Sequence, residues 1–127
     1  MSDVTHSAKI QLLKDFLDAL NRHDADAMMS FMSDDCMFEK ASGPDKFGYR
    51  HHGSEDVRAG YESLWNSVPD AQWEVTSIFV SDDRACSEWT VSGTQPNGTR
   101  FEVDGCDLFT IRGNKITTTI SYRKCGA

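Results

Sequence analysis

The stretch TRFEVDGCDLFTIRGNKITTTISYR at residues 99–123 decides the fold. Apolar and polar residues alternate over 99–111 and again over 115–123, and the break between them is rich in turn residues. Two earlier segments, 71–80 and 84–94, alternate in the same way and are joined by similarly short breaks. Because short connections make neighbouring strands run antiparallel, the second half of the chain is predicted to form a four-stranded meander.

The first half of the chain has a helical pattern. Apolar residues at helical spacing predict an amphipathic helix over 5–22 and a shorter one that begins after the N-cap residue Asp24. A short strand is expected at 36–39 and a loop over 41–53, after which Ser54 is expected to cap a third helix. Helices followed by a meander predict an α+β domain with the helices on one face of the sheet.

Length and charge limit the possible partners. The 127 residues fit a single domain over 1–127, and 20 acidic against 13 basic residues give a net charge of −7. Nucleic acid and anionic membranes would repel such a chain, so neither is predicted as a partner. The N-terminus lacks the pattern of a signal peptide, which predicts a cytoplasmic protein whose four cysteines are thiols.

One residue breaks the apolar pattern of the strand at 99–111. Its odd positions are apolar or glycine and are predicted to face the helices, but Asp107 lies among them. An ionised carboxylate on a buried face is costly unless it is paired or its pKa is raised. A neutral Asp107 could donate a hydrogen bond to a carbonyl or enolate oxygen, and an ionised one could act as a general base.

Two other interpretations of Asp107 stay open. Alternation in the neighbouring strands places Trp89 and Tyr122 beside it, each with a polar tip. Asp107 could therefore bond to Tyr122, Trp89 or a backbone N–H and serve only to hold the sheet together. Alternatively, a bulge at Gly105 could reverse the alternation and expose the carboxyl group.

Two adjacent histidines, His51 and His52, end the predicted loop. Adjacent side chains in extended backbone point apart, so the pair is poorly placed to chelate one ion, and neither a metal nor another cofactor is predicted. His51 is instead a candidate acid, base or hydrogen-bond donor at the rim of a pocket. Hydrogen bonding within the loop or at the helix cap is the alternative interpretation.

The order of the elements and several short motifs resemble the nuclear transport factor 2-like superfamily, most closely its SnoaL-like and ketosteroid-isomerase-like members. The motifs are ALNRHD at 19–24, FMSDD at 31–35, GSEDVR at 53–58, GCDLFTI at 105–111 and GNKI at 113–116. The resemblance implies a cystatin-like cone in which three N-terminal helices pack on a curved antiparallel sheet around a ligand pocket. It also implies a homodimer formed through the outer face of the sheet.

The resemblance carries expectations for individual residues. Asp107 falls where the isomerases keep a protonated aspartate that binds the substrate oxyanion. Their tyrosine with the same role falls at Phe16, and their general base falls at Lys40. In SnoaL-like cyclases the acid–base aspartate falls at Ser121 and a histidine falls at Asp107. Neither catalytic set is complete in this chain.

The resulting prediction is a small-molecule pocket protein that acts as an acid–base isomerase, cyclase or dehydratase on an apolar carbonyl compound. Asp107, Tyr122 and His51 are its predicted catalytic residues. The predicted ligand-binding residues are Trp89, Phe16, Lys40, Trp65, Tyr61 and Phe109, although aromatic residues at such spacing also form cores. Two alternatives stay open: a non-catalytic ligand-binding module, and a dimerisation module whose cavity is filled by side chains.

Overall fold

Three helices and six strands make up the fold within residues 5–125, the part of the chain that the computed structural model describes. None of these helices is long and apolar enough to cross a membrane. In chain order the elements are α1 (His6–Asn21), α2 (Ala25–Ser30), β1 (Met32–Asp45), β2 (Gly48–His52), α3 (Ser54–Ser67), β3 (Gln72–Ser81), β4 (Arg84–Thr94), β5 (Arg100–Arg112) and β6 (Lys115–Arg123).

The helices begin where local hydrogen bonding allows. The Asp24 carboxylate accepts from the Ala27 backbone N–H at 3.0 Å and caps α2, as predicted. The predicted cap of α3 is wrong: Ser54 is the first helical residue, and Gly53 is the N-cap. Gly53 has a φ of 82°, a region that favours glycine, and its N–H donates to the Cys36 carbonyl at 2.8 Å.

The predicted loop at 41–53 is also wrong, because β1 and β2 form a hairpin there. β1 runs to Asp45 and pairs with β2 in an antiparallel register that is irregular between Lys40 and Asp45. Most side chains of the outer part of this hairpin are exposed. With no face buried, these strands lack the alternation by which strands are recognised in sequence.

The sheet has the strand order β2-β1-β6-β5-β4-β3. Strands β3 to β6 form the predicted antiparallel meander. The sheet is mixed rather than wholly antiparallel, because β1 runs parallel to β6. Only α1 and α2 precede the sheet in the chain, and α3 follows the first hairpin, so three N-terminal helices are not confirmed.

The helices cover one face of the sheet and close a single apolar core. Side chains of α1, α2, α3 and the sheet meet there, among them Leu13, Phe16, Met28, Val57, Phe38, Phe109 and Ile116. As predicted, the odd positions of β5 form its more buried face at the helical side. Asp107 therefore lies on the core face, and the β4–β5 register is unbroken at Gly105, so the bulge considered there is absent.

A bulge does occur in β6. Ile111 pairs with Ile116, but the preceding residue of β5, Thr110, already pairs with Thr118. Thr117 is thus an extra residue in β6, and every side chain after it lies on the face opposite to that expected from strict alternation. The bulge determines which residues of β6 approach Asp107.

Candidate functional site

A row of polar residues crosses the inner face of four adjacent strands and consists of Ser87 in β4, Asp107 in β5, Ser121 in β6 and Lys40 in β1. Asp107 pairs in register with the serine on each side of it. Glu39 pairs with Ile120 across the parallel strands, so the next residues, Lys40 and Ser121, emerge side by side on one face. These residues are called the polar row below.

Asp107 is buried at the centre of the polar row, with 5% of its surface exposed. The Ser121 hydroxyl donates to its Oδ1 at 2.5 Å. Burial raises the pKa of Asp107 to about 6, although the Ser121 hydroxyl and the nearby Trp89 indole act in the opposite direction. The Trp89 N–H approaches without completing a hydrogen bond. Near neutral pH Asp107 is therefore mostly ionised, with a pKa suited to a general base.

The second serine of the polar row, Ser87, does not donate a hydrogen bond to the Asp107 carboxylate. Ser87 is fully buried opposite Asp107, yet its hydroxyl has no hydrogen-bond partner. A buried hydroxyl without a partner costs about 1–3 kcal/mol. Asp107 thus has one completed side-chain hydrogen bond, from Ser121, which leaves burial as the dominant influence on its pKa.

A cavity of about 100 Å³ adjoins the polar row. Asp107 lies behind the wall, and its hydrogen-bond partner Ser121 forms part of the wall. The lining includes Phe38, Lys40, Trp73, Trp89, Ser121 and Arg123.

Two of the predicted ligand-binding residues, Lys40 and Trp89, do line this cavity. Lys40 is half-buried, and its ammonium donates to the Ser63 hydroxyl of α3 at 2.7 Å. Burial lowers the pKa of Lys40. Because the ammonium turns towards α3, it does not neutralise Asp107. The binding roles of Lys40 and Trp89 stay predictions.

His51 does not lie at the cavity, so its predicted place at the rim is wrong. Its Nδ1 bonds to the Asp56 carboxylate at 3.0 Å, and Asp56 also accepts from the His52 backbone N–H at 3.0 Å. Its Nε2 is buried without a partner, and its ring packs against Gly60 and stacks on Phe38. This matches the alternative of local hydrogen bonding. Within residues 5–125, no group of three or more His, Cys, Asp or Glu is arranged to hold a metal ion.

Three more predicted ligand-binding residues belong to the core instead. Phe16 and Phe109 are fully buried and meet edge to face at 6.0 Å between ring centroids. Tyr61 stacks on Phe38 at 4.1 Å and donates its hydroxyl to Thr119 at 3.2 Å. Burial raises the pKa of Tyr61 well above its ordinary value. Their spacing reflects packing, so their predicted place in the cavity wall is wrong.

Trp65 lines a different concavity, an open groove of about 1010 Å³ beside α2 and α3. Its ring stacks on His23 with centroids 5.1 Å apart. The groove is larger than the cavity, but charged side chains in it form ion pairs. Arg58 contacts Asp26 at 2.6 Å and Glu62 at 3.4 Å. The groove holds no buried ionisable group comparable to Asp107. Trp65 therefore lies away from the cavity beside Ser121, and its ligand-binding role stays a prediction.

Tyr122 lies on the outer face of the sheet with 55% of its surface exposed. Its predicted position beside Asp107 is wrong because the bulge at Thr117 turns Tyr122 outward and Ser121 inward. The sequence did carry a signal for Ser121, which falls at the acid–base position of the resembled cyclases. No comparable signal marked Ser63 or Arg123.

Several solved structures share this architecture. The chain is similar to a candidate polyketide cyclase from Xanthomonas campestris, with 23% identity, a TM-score of 0.80, and coverage of 92% of this chain and 90% of that one. It is similar to a candidate SnoaL-like polyketide cyclase from Jannaschia, with 15% identity, a TM-score of 0.83, and coverage of 98% and 92%.

A third similar structure is a protein from Catenulispora acidiphila with a ketosteroid isomerase-like fold, in complex with trimethylamine. It has 17% identity, a TM-score of 0.78, and coverage of 87% of this chain and 83% of that one. These likenesses show a cystatin-like fold.

The family follows from the sequence match. The SnoaL-like domain family matches residues 13–119, and the chain therefore belongs to that family. No curated protein matches the chain significantly.

Proposed function

We propose that this protein is an acid–base enzyme of the isomerase, cyclase or dehydratase class that acts on a small carbonyl compound. The observation that carries the proposal is the buried Asp107, with its pKa near 6, held behind the Ser121 hydroxyl in a cavity wall. Carboxyl groups with strongly perturbed pKa values cluster at functional sites. Candidate polyketide cyclases among the similar structures favour the cyclase class.

The proposed reaction begins with proton removal next to the carbonyl group. As the carbon–hydrogen bond breaks, Ser121 Oγ takes the proton and passes its own proton to Asp107 Oδ1. The electron pair moves to the carbonyl oxygen as an enolate. In a β,γ-unsaturated substrate, return of the proton to the γ-carbon isomerises the compound. In a β-hydroxy substrate, the proton held on Asp107 passes through Ser121 to the β-hydroxyl group, which leaves as water and so dehydrates the compound. The pKa of Asp107 suits this exchange near neutral pH.

Hydrogen–deuterium exchange tests the proposal without knowledge of the natural substrate. Butanone, cyclopentanone and 3-oxobutyrate would be incubated with the protein in D₂O, and loss of the α-proton signal followed by NMR. Asp107→Asn and Ser121→Ala should each slow enzymatic exchange about 100-fold or more. Ser87→Ala is the matched control, because Ser87 also flanks Asp107 but makes no hydrogen bond.

Two results would contradict the proposal. One is exchange of every compound at the buffer rate with the unmodified protein. The other is a compound that exchanges as fast with Asp107→Asn as with the unmodified protein. An unchanged rate in Ser121→Ala alone would remove the serine from the proton path and leave Asp107 acting directly.

The second candidate function is non-catalytic binding of a small ligand. The observation that favours it is the loss of the isomerase hydroxyl at Phe16, which is fully buried in the core. A binder would return its ligand unchanged after long incubation, and Asp107→Asn would bind that ligand equally well. A dimerisation module with a filled cavity would bind none of the compounds.

The outer face of the sheet supports a homodimer in either case. It exposes two large apolar side chains, Phe79 and Tyr122. Sedimentation of the unmodified protein and of Tyr122→Asp would test it, with a shift from dimer to monomer expected. The single domain over 1–127, the cytoplasmic location and activity without a cofactor stay predictions; residues 1–4 and 126–127 lie outside the described residues.

A further inference from the structure

The charge of the cavity is opposite to that of the chain. The whole chain carries a net charge of −7. The charged residues that line the cavity are Lys40 and Arg123, and no acidic side chain lines it. A ligand in this cavity therefore meets two positive charges in the wall and one carboxylate, Asp107, behind it, a balance that favours an anionic ligand.

Lys40 is positioned to use its charge on a ligand. Its ammonium donates one hydrogen bond, to Ser63 Oγ, while Ser63 itself donates to the Gly60 carbonyl at 2.7 Å. An ammonium has three donors, so two remain available. Among the described residues, no carboxylate oxygen lies within 4.0 Å of the Lys40 ammonium. Burial lowers the pKa of Lys40, and the charge of Asp56, from beyond contact distance, raises it less strongly. A half-buried cation with no carboxylate in contact is stabilised when an anion binds beside it.

Arg123 supplies the second charge at the exposed end of the cavity. Its guanidinium lies over the Phe101 ring at 5.2 Å from the centroid, which holds it beside the inner face. No carboxylate of the described chain pairs with it within 4.0 Å. A guanidinium presents paired donors that match the two oxygens of a carboxylate.

The two cations flank the proposed proton-transfer group. Lys40 emerges beside Ser121 across the parallel strands, and Arg123 follows Ser121 by two residues on the same face of β6. The apolar wall on the other side includes Trp89 and Trp73. With a volume of about 100 Å³, the cavity holds a molecule of only a few heavy atoms, or one end of a longer molecule.

We propose that the cavity selects a small carbonyl compound that carries a carboxylate group, which Lys40 and Arg123 bind while the carbonyl end lies against Ser121 and Trp89. The inference rests on the proposed function for the carbonyl group, whereas the carboxylate preference rests on the cavity alone. Lys40, at the position of the lost isomerase base, thus serves as a substrate-binding residue.

Binding of matched probes tests this preference independently of catalysis. Butyrate and butyramide have the same size and differ in charge, and each would be titrated into the ¹⁵N-labelled protein while the indole N–H signals of Trp73 and Trp89 are followed by NMR. Butyrate should bind at least 10-fold more tightly than butyramide. Lys40→Met and Arg123→Gln should each reduce this preference at least 3-fold, and the pair should abolish it.

Lys115→Met is the matched control, because it removes the same charge from a lysine that donates to the Ser30 carbonyl away from the cavity. It should leave the preference unchanged. Lys40→Arg, which keeps the charge, should retain a preference for butyrate and covers the case in which Lys40→Met does not fold. Equal affinity for both probes, or equal losses in Lys40→Met and Lys115→Met, would overturn the inference.

The outcome also separates this inference from the proposed function. Asp107→Asn should lose proton exchange but bind butyrate at least as tightly as the unmodified protein, because it removes a nearby negative charge. Preferential butyrate binding without exchange of any carbonyl compound would support the anion site and reject the enzyme. Exchange of neutral ketones without a carboxylate preference would support the enzyme and reject the anion site.

Discussion

Asp107 and Asp56 both accept hydrogen bonds through their side chains, but they differ in burial and in the direction of their pKa shifts. Asp107 is 5% exposed and receives one completed hydrogen bond, from Ser121. The Asp56 side chain is 51% exposed and receives two, from His51 and from the His52 backbone. The pKa of Asp107 rises to about 6, whereas hydrogen bonds from His51 and His52 lower the pKa of Asp56.

The contrast shows that a nearby histidine does not by itself indicate a catalytic aspartate. Asp56 is stabilised in its charged form and joins β2 to the start of α3, which is a structural role. Asp107 is held in a form that readily gains or loses a proton near neutral pH, next to a cavity. Burial, rather than the number of polar neighbours, separates the two roles.

The largest expected effect concerns the pH dependence of stability. The folded state raises the pKa of Asp107 from 3.8 to about 6 and so binds its proton more tightly than the unfolded chain does. This proton stabilises the fold at low pH, and the stabilisation is lost as pH rises from about 4 to above 6. At 1.36 kcal/mol per unit, the loss is about 3 kcal/mol.

Asp107→Asn should remove this loss. The free energy of unfolding of the variant, relative to that of the unmodified protein, should rise by about 2 kcal/mol between pH 4 and pH 7.5. Urea unfolding at a series of pH values would measure it. Two parallel pH profiles would show that Asp107 titrates normally.

Asp56→Ala should destabilise the protein near neutral pH, whereas Asp107→Asn removes a loss of stability there. Asp56 has a lowered pKa when folded, so its contribution is present above its ordinary value of 3.8 and is lost as pH falls through the folded value. Removing its hydrogen bonds should lower the free energy of unfolding by about 1–2 kcal/mol at pH 7, since solvent screens this exposed group. Urea unfolding at pH 7 and pH 3 would measure the change, and an equal loss at both pH values would count against this account.

Gly60→Ala tests whether His51 is fixed in place. A Cβ at Gly60 would lie 2.7–2.8 Å from the His51 ring atoms Cδ2 and Nε2. Helix propensity favours alanine by about 1 kcal/mol, but overpacking costs about 1–3 kcal/mol, so a net loss of about 1 kcal/mol is expected. Ala59→Ser, on the exposed side of α3, is the control for thermal unfolding. A more stable Gly60→Ala protein would indicate that His51 moves freely.

The smallest expected change in the free energy of unfolding concerns the polar row, where one substitution should stabilise the protein. Ser87 has a buried hydroxyl without a partner, so Ser87→Ala should raise the free energy of unfolding by up to about 1 kcal/mol. Ser121→Ala removes a hydrogen bond to a charged group and should lower it. Parallel chemical unfolding of both variants would reveal the difference, and a shared sign would show that the two serines are equivalent.

The sequence alone predicted the meander well and the β1–β2 hairpin badly. The ends of β3 to β6 lie within one residue of the predicted ends, because one buried face imposes clear alternation. The hairpin is mostly exposed and so leaves no such pattern. The parallel pairing of β1 with β6 joins distant segments, which periodicity does not reveal.

The candidate site was predictable only in part. Asp107 was found because a carboxylate among apolar residues conflicts with burial. The bulge at Thr117 was not foreseen, since a run of three threonines gives no alternation whose phase could be followed. Strict alternation therefore predicts Tyr122 on the inner face, whereas the bulge brings Ser121 there. The pairing of His51 with Asp56 depends on how β2 meets α3, which residue spacing does not show.

The most direct test of the account is an NMR titration of the Asp107 side-chain carboxyl carbon, with Asp107→Asn used to assign the signal. The Asp107 carboxyl should titrate with a midpoint near pH 6, and the Asp56 carboxyl should titrate below its ordinary range in the same experiment. An Asp107 midpoint at or below about 4, the value of an unperturbed aspartate, would contradict the claim that burial has prepared this carboxyl for proton transfer.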